Sequence, residues 1–281
     1  MNSRSISLLL ATLLVASCTT QKDHLVTIHT PYGDMHAVLY DVTPKHKENF
    51  IELAQNGRYD STLFHRVITD FMIQGGDLTT KPTAGPEDTI GYTIPAEFVD
   101  TLYHRKGALA AARQGDRINP KRASNGSQFY IVQGQTHTED ELLTDMDKLT
   151  AAVQELVQFV DYTDVGEELV ALYESGNYEG YTKRILSLKP AVEEKLDISV
   201  NRDYAAEKLH AYTTVGGVPH LDDTYTVFGQ VIDNLSVIDS IAAQPTGRAD
   251  KPVQNIYMTV SVEEMPRQKI AQQYGYVYPS E

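Results

Sequence analysis

Tryptophan is missing from the 281 residues and cysteine occurs once, at Cys18. A lone thiol closes no disulfide within the chain and builds no thiolate metal site. The nine histidines show no H-x-x-x-H or H-E-x-x-H spacing, so no metal is expected. No glycine-rich phosphate loop follows a strand, and no G-x-S-x-G elbow is present. Positive charge is scarce. The chain has 24 Lys plus Arg against 38 Asp plus Glu, a formal net charge of −14. That balance argues against nucleic acid as a partner and otherwise favours solubility. Long apolar runs are lacking too. The longest, Leu8 to Ala16, falls well short of the ~20 residues of a membrane span.

What is present begins with a targeting segment. "MNSRSISLLLATLLVASC" has an early Arg4, an apolar stretch and small residues before Cys18. Residues 1–18 therefore read as a secretory signal peptide. "VASC" looks like a bacterial lipobox, in which cleavage precedes the cysteine and its thiol takes lipid. Cys18 is the expected lipidation site, and the acyl chains would tether the protein to a membrane. The expected location is extracytoplasmic, anchored to a bacterial membrane, periplasm-facing or on the outer membrane.

The remaining chain changes texture twice. Residues 25–136 are rich in short β-like runs. "VTIHTPYGDMHAVLY" reads as a hairpin, and "TPKHKENFIELAQNG" as a helix capped by Thr43 and ended by Gly57. Phe50, Leu53 and Ala54 would face inward. Residues 137–211 read as an acidic helical insertion. Thr138 and Glu141 form a capping-box pattern, and Leu142, Met146, Leu149, Val153, Leu156 and Val160 recur at helical spacing. Shorter helical pieces follow, broken at Gly176, Gly180 and Pro190. From 212 to 264 the β texture returns around a short helix capped by Asn234. Residues 265–281 read as a loose tail.

"FHRVITDFMIQGGD" (64–77) resembles the signature of the cyclophilins, the peptidyl-prolyl isomerases. Three further stretches resemble the family in order: "GALAAAR" (107–113), "SNGSQFYI" (124–131) and "HLDDTYTVFGQV" (220–231). The resemblance covers 25–136 and 212–264 but not the insertion. It implies a mainly β fold: a closed eight-stranded antiparallel barrel capped by two helices, 44–56 and 235–243. It also implies a substrate groove on the outside of the barrel.

The chemistry is rotation about an X-Pro bond, which amide resonance opposes by ~18–20 kcal/mol. At the twisted midpoint the nitrogen becomes pyramidal and basic. A donor aimed at it binds the twisted form better than the planar forms, as catalysis requires. Arg66 is the candidate donor, permanently charged and forked. By resemblance, Phe71, Met72, Tyr130 and Leu221 form the proline pocket, and Gln74 and Gln128 position Arg66 and the peptide. The backbone at Ala112 and Arg113 pairs with extended substrate. His65, near the pocket, is by resemblance a candidate catalytic residue with Arg66 and Gln74, and His220 and Tyr225 are candidate substrate-binding residues. Gly75 and Gly76 allow close backbone approach. No cofactor is needed.

Several positions depart from the family. Thr69-Asp70 replaces a usual Pro-Gly, and Asp70 is expected to face solvent. Tyr130 replaces a common Phe. His220 stands where many relatives have Trp, which implies weak cyclosporin binding at most. The partners expected are proline-containing polypeptides, exported or unfolded. A rival reading is a non-catalytic binding or chaperone module that holds proline segments and uses the helical insertion as its main surface.

Overall fold

The computed structural model describes residues 21–279. The expected signal peptide and Cys18 lie outside them. Among the described residues no helix is long and apolar enough to cross a membrane.

Eleven strands are formed: β1 Lys22–Thr30, β2 Gly33–Leu39, β3 Thr62–Leu63, β4 Arg66–Ile68, β5 Met72–Gly75, β6 Thr93–Ile94, β7 Ala108–Ala111, β8 Ser124–Asn125, β9 Phe129–Val132, β10 Val227–Asp233 and β11 Tyr257–Pro266. Nine build one antiparallel sheet in the order β3-β11-β1-β2-β10-β7-β9-β5-β4, while β6 and β8 pair separately. The closed eight-stranded barrel is thereby corrected to a curled nine-stranded sheet. Segment 62–68 explains the difference. Its first part pairs with β11, its second with β5, and no ladder joins β3 to β4.

The pleat sends alternate residues to opposite faces. Ile73, Leu109, Phe129 and Ile131 enter the main core with Val26, Ile28, Phe50 and Phe228. Their neighbours Met72, Ala108, Ala110, Tyr130 and Val132 form a second apolar cluster with Leu221 and Val227 on the outer face. Strands β7 and β9 are apolar throughout because both faces are covered.

The main core is closed by two helices, α1 (Pro44–Gln55) and α8 (Ser236–Ala242), through Phe50, Leu53, Ile238 and Ile241. Neither has the expected cap. The Thr43 hydroxyl donates to the Tyr40 carbonyl instead of accepting from the helix. Glu97 takes its place, accepting from the backbone N–H groups of Lys45 at 3.2 Å and His46 at 3.1 Å. The Asn234 side chain donates to the Asp34 carbonyl and leaves α8 uncapped by a side chain.

The insertion holds α2 (Glu139–Leu142), α3 (Met146–Leu156), α4 (Thr163–Glu174), α5 (Tyr178–Ser187), α6 (Lys189–Leu196) and α7 (Ala206–Thr214). Its helices α3 to α6 share their own core, including Leu149, Leu156, Leu169, Ile185 and Val192. The Thr138–Glu141 capping box forms, but the helix ends at Leu142, and Asp145 caps a new one by accepting from Lys148 N. Val160, expected inward, is 90% exposed. Gly176 separates α4 from α5, whereas Gly180 lies within α5 and Pro190 sits in the first turn of α6. The two chain ends of the insertion meet at Gly134 and Gly217, which only glycine permits. A Cβ on Gly134 would lie 2.4 Å from Gly217 backbone, and one on Gly217 would lie 2.2 Å from the His104 oxygen.

The C-terminal segment is not a loose tail. It folds as α9 (Arg267–Tyr274), which buries Ile270 against Leu25, Val38 and Met265, with Tyr274, Tyr276 and Tyr278 packed beside it.

Candidate functional site

A groove of ≈ 250 Å³ crosses the outer face of the sheet. Arg66 enters it from β4, Phe71 from the turn before β5, and Met72 and Gln74 from β5 itself. Ala112 and Arg113 follow β7, Tyr130 lies on β9, and Leu221 and Tyr225 arrive on the segment returning from the insertion. Of the residues expected at the site, these line one cavity. His65, Gln128 and His220 do not.

His65 lies in the break between β3 and β4. Its neighbour Arg66 points outward, and the His65 Nδ1 is buried without a hydrogen-bond partner. Burial pushes its pKa below the ordinary histidine value, with Asp77 acting the other way. Gln128 sits one step behind the groove. Gln74 Nε2 donates to Gln128 Oε1 at 3.2 Å, and Gln128 Nε2 donates to Asp77 Oδ2 at 3.1 Å. Gln128 lines an adjoining depression of ≈ 520 Å³ that shares Gln74, Ala112 and Arg113 with the groove. His220 stacks on Phe71, with centroids 5.8 Å apart and planes at 14°, and faces a different depression near Asp222.

Arg66 and Gln74 are cross-strand partners, but the side-chain contact of Arg66 is elsewhere. Its Nε donates to Asp250 Oδ2 at 3.2 Å. Both side chains are nearly half exposed, at 43% and 46%. Asp250 follows Ala249 in a short 3-10 turn, and both have left-handed backbone, φ 58 and 59. Nothing in the sequence marked Asp250, which lies 184 residues from Arg66. Asp70 is exposed, and its N–H donates to Gln133.

The Ala112 backbone differs from expectation. Its N–H donates to the Gln128 carbonyl at 3.0 Å, and its carbonyl accepts from Asn125 N at 2.8 Å. Extended substrate therefore finds the Ala112 N–H already engaged. The Arg113 guanidinium is buried against protein. It donates to the carbonyls of Thr224 and Gln114 and to Asp116, and lies 4.3 Å from the centroid of the Tyr225 ring. This pins Tyr225 as one wall.

The extra hydroxyl of Tyr130 is accounted for by a buried network. It lies 2.9 Å from His104 Nε2, and His104 Nδ1 lies 2.9 Å from Asp222 Oδ1. Asp222 also accepts from Tyr212 and pairs with Lys208 at 2.7 Å, both on α7. Burial works against the Asp222 carboxylate, but hydrogen bonds from His104 and Lys208 outweigh it and hold its pKa low. An ionised Asp222 requires the proton on His104 Nδ1, so Nε2 accepts from the Tyr130 hydroxyl. Burial raises the pKa of that phenol and keeps it protonated. The insertion is thus tied to the groove wall through His104 and Asp222, neither of which sequence reasoning singled out. The signal was the tyrosine itself, since a buried phenol needs a partner. Among the described residues no group of three or more His, Cys, Asp or Glu could hold a metal ion.

Comparison with known proteins agrees with this geometry. The family model described as "Cyclophilin type peptidyl-prolyl cis-trans isomerase/CLD" matches residues 25–164 and 201–262. A protein of Staphylococcus epidermidis, provisionally named a peptidyl-prolyl cis-trans isomerase, is 32% identical over 85% of this chain and 91% of its own length. A Streptococcus pyogenes protein, provisionally named a bifunctional phosphatase/peptidyl-prolyl cis-trans isomerase, is 36% identical over 82% of this chain, which spans 37% of that relative. A Cryptosporidium parvum cyclophilin structure shares the fold with a TM-score of 0.51 at 22% identity, covering 88% of this chain and 100% of the other. The chain belongs to the cyclophilin-type peptidyl-prolyl cis-trans isomerases, a family of enzymes.

Proposed function

We propose that the outer groove catalyses rotation about X-Pro bonds, with Arg66 stabilising the twisted amide. The observation that carries this reading is one cavity lined by a guanidinium and by the apolar surfaces of Phe71, Met72, Tyr130 and Leu221. The apolar side takes the pyrrolidine ring and excludes water. With Nε engaged by Asp250, the terminal nitrogens of Arg66 remain for the amide nitrogen. Lowering an exchange time of tens of seconds to a turnover near 10³ s⁻¹ requires about 7 kcal/mol. A charge-assisted donor acting in a partly dry site supplies about half of this, since one such donor is worth about 10²–10³ in rate, and desolvation and positioning by the apolar wall supply the rest. Gln74, held by Gln128 and Asp77, offers a fixed polar edge beside Arg66. Arginine does not titrate near neutrality, so the rate is nearly flat from about pH 6 to 8.

The substrates in this reading are proline-containing segments of exported or unfolded proteins. The chain works outside the cytoplasm, tethered through lipid on Cys18. Cyclosporin binds weakly, because His220 stacks on Phe71 instead of offering an indole N–H. A protease-coupled assay on a short Pro peptide, comparing wild type with Arg66→Ala, tests the proposal. Loss of about 10²-fold in kcat/KM supports it. Equal, slow rates would instead make the groove a non-catalytic holder of proline segments.

A further inference from the structure

A second groove, of ≈ 390 Å³, lies wholly within the insertion, between α3, α4 and α5. Its walls are Val153 on α3, Leu169, Val170 and Tyr173 on α4, and Tyr181 and Ile185 on α5. Most of α4 and all of α5 fall in residues 165–200, which the family match leaves out. Its α3 wall lies inside the match, but the groove shares no lining residue with the isomerase groove.

Two features distinguish it from an ordinary helix seam. Val170 and Tyr173 are 56% and 59% exposed although they line it. Tyr173 also meets Tyr178 at 5.6 Å and Tyr181 at 5.8 Å, edge to face, and of these rings Tyr173 and Tyr181 line the groove. Clustered exposed apolar surface of this kind marks an interaction site more often than scattered residues do. The second feature is charge. Residues 146–187 have eight carboxylates against three basic residues. Those three are already engaged: Lys183 with Glu179, Arg184 with Glu168, and Lys148 with the Ser199 carbonyl. Asp147, Glu155, Asp161, Asp164, Glu167 and Glu174 are exposed and have no basic partner among the described residues. Of these carboxylates Glu174 lines the cleft itself and the others give its helices a net negative surface, so with Tyr173 and Tyr181 in its walls the cleft favours a cationic, apolar ligand.

We propose that this groove binds unfolded polypeptide segments in which apolar side chains stand next to lysine or arginine. The apolar side chains enter between α3, α4 and α5. The cations meet Glu174, the acidic surface of the surrounding helices and the tyrosine faces. Proline is not needed for recognition, so the site holds a client independently of the bond being isomerised.

The test titrates the full chain with two labelled synthetic peptides that lack proline. They share the same apolar residues, and one has lysines where the other has glutamates. Fluorescence anisotropy should show the lysine peptide binding at least about tenfold tighter than its glutamate twin. Its affinity should fall as sodium chloride rises from about 50 to 300 mM. The double variant Val170→Ser, Tyr173→Ser changes only exposed side chains and should weaken binding about tenfold. Its activity on a short Pro peptide should stay within about twofold of wild type, because the two sites share no residue. Equal binding of both peptides, or an unchanged affinity in the double variant, overturns the proposal. So does sedimentation showing a wild-type dimer that the double variant abolishes, since the groove would then hold a second copy of the chain. Peptide binding is measured without any isomerase assay, so failure here and failure of the isomerase reading are separable.

Discussion

Asp250 accepts a hydrogen bond from the Nε of Arg66 at 3.2 Å, reaching across from a turn with two consecutive left-handed residues. Non-glycine residues held there store backbone strain, here offset by hydrogen bonds from Gly247 N to the Lys251 carbonyl and from Val253 N to the Pro245 carbonyl. The pair is too exposed to stabilise the fold much, since such ion pairs contribute about 0–1 kcal/mol. Its consequence is orientation: one guanidinium nitrogen is fixed, and among the described residues no hydrogen bond holds the other two.

Replacing that carboxylate should therefore affect rate more than stability. Asp250→Ala is expected to lower kcat/KM about threefold to tenfold. Asp250→Asn, which keeps an acceptor oxygen, should stay closer to wild type. Thermal melting should be nearly unchanged in both. A large loss of melting temperature in Asp250→Ala, with activity intact, would show that the turn matters for folding and not for Arg66.

Tyr130→Phe keeps the ring that lines the groove but removes the donor to His104 Nε2. A buried acceptor left unpaired costs about 1–3 kcal/mol, visible in urea denaturation. Peptide turnover should change little. Asp222→Ala removes the common acceptor of His104, Tyr212 and Lys208 and should cost more, about 3–5 kcal/mol. Equal stability of wild type and Asp222→Ala would contradict the network.

Acid should weaken the protein in two stages. His65 has a folded pKa below the ordinary value near 6.5. As pH falls through that value the unfolded chain takes up the proton first, so stability declines as the pH drops below about 6.5. Asp222 has a folded pKa below the ordinary carboxylate value. Its contribution is fully present above about pH 4 and lost as pH falls below that. His65→Leu should shrink the first stage, leaving the part due to His46 and His220, whose pKa values burial also lowers, while kcat/KM at neutral pH stays within about twofold of wild type, because His65 does not line the groove. An unchanged pH slope, or a collapse of activity, would return His65 to the site.

Much of this organisation is legible in the sequence where local chemistry agrees with the fold. The β1–β2 hairpin and α1 with Pro44 in its first turn form as the sequence suggests, and each of the four ordered motifs sends at least one residue into one groove, while His65, Gln128 and His220 do not line it. What escapes is tertiary. Glu97 caps α1 from about fifty residues away, and Asp250 reaches Arg66 across most of the chain. The break between α2 and α3 is invisible to periodicity, since Leu142, Met146 and Leu149 keep helical spacing across it. Helix α9 buries only Ile270 fully, so its apolar stripe is too thin to announce a helix. His65 shows the limit of motif reading. It adjoins Arg66 in the chain, yet it sits in the break between β3 and β4 and does not line the groove.

The central claim is that Arg66 grips the twisted amide more tightly than the planar one. Line-shape or exchange NMR on a Pro peptide measures turnover and ground-state affinity in the same titration, for wild type and Arg66→Ala. The account predicts that Arg66→Ala loses about 10²-fold or more in exchange rate while the dissociation constant changes only a few-fold. A variant that binds far more weakly yet exchanges the bound peptide as fast as wild type would contradict it.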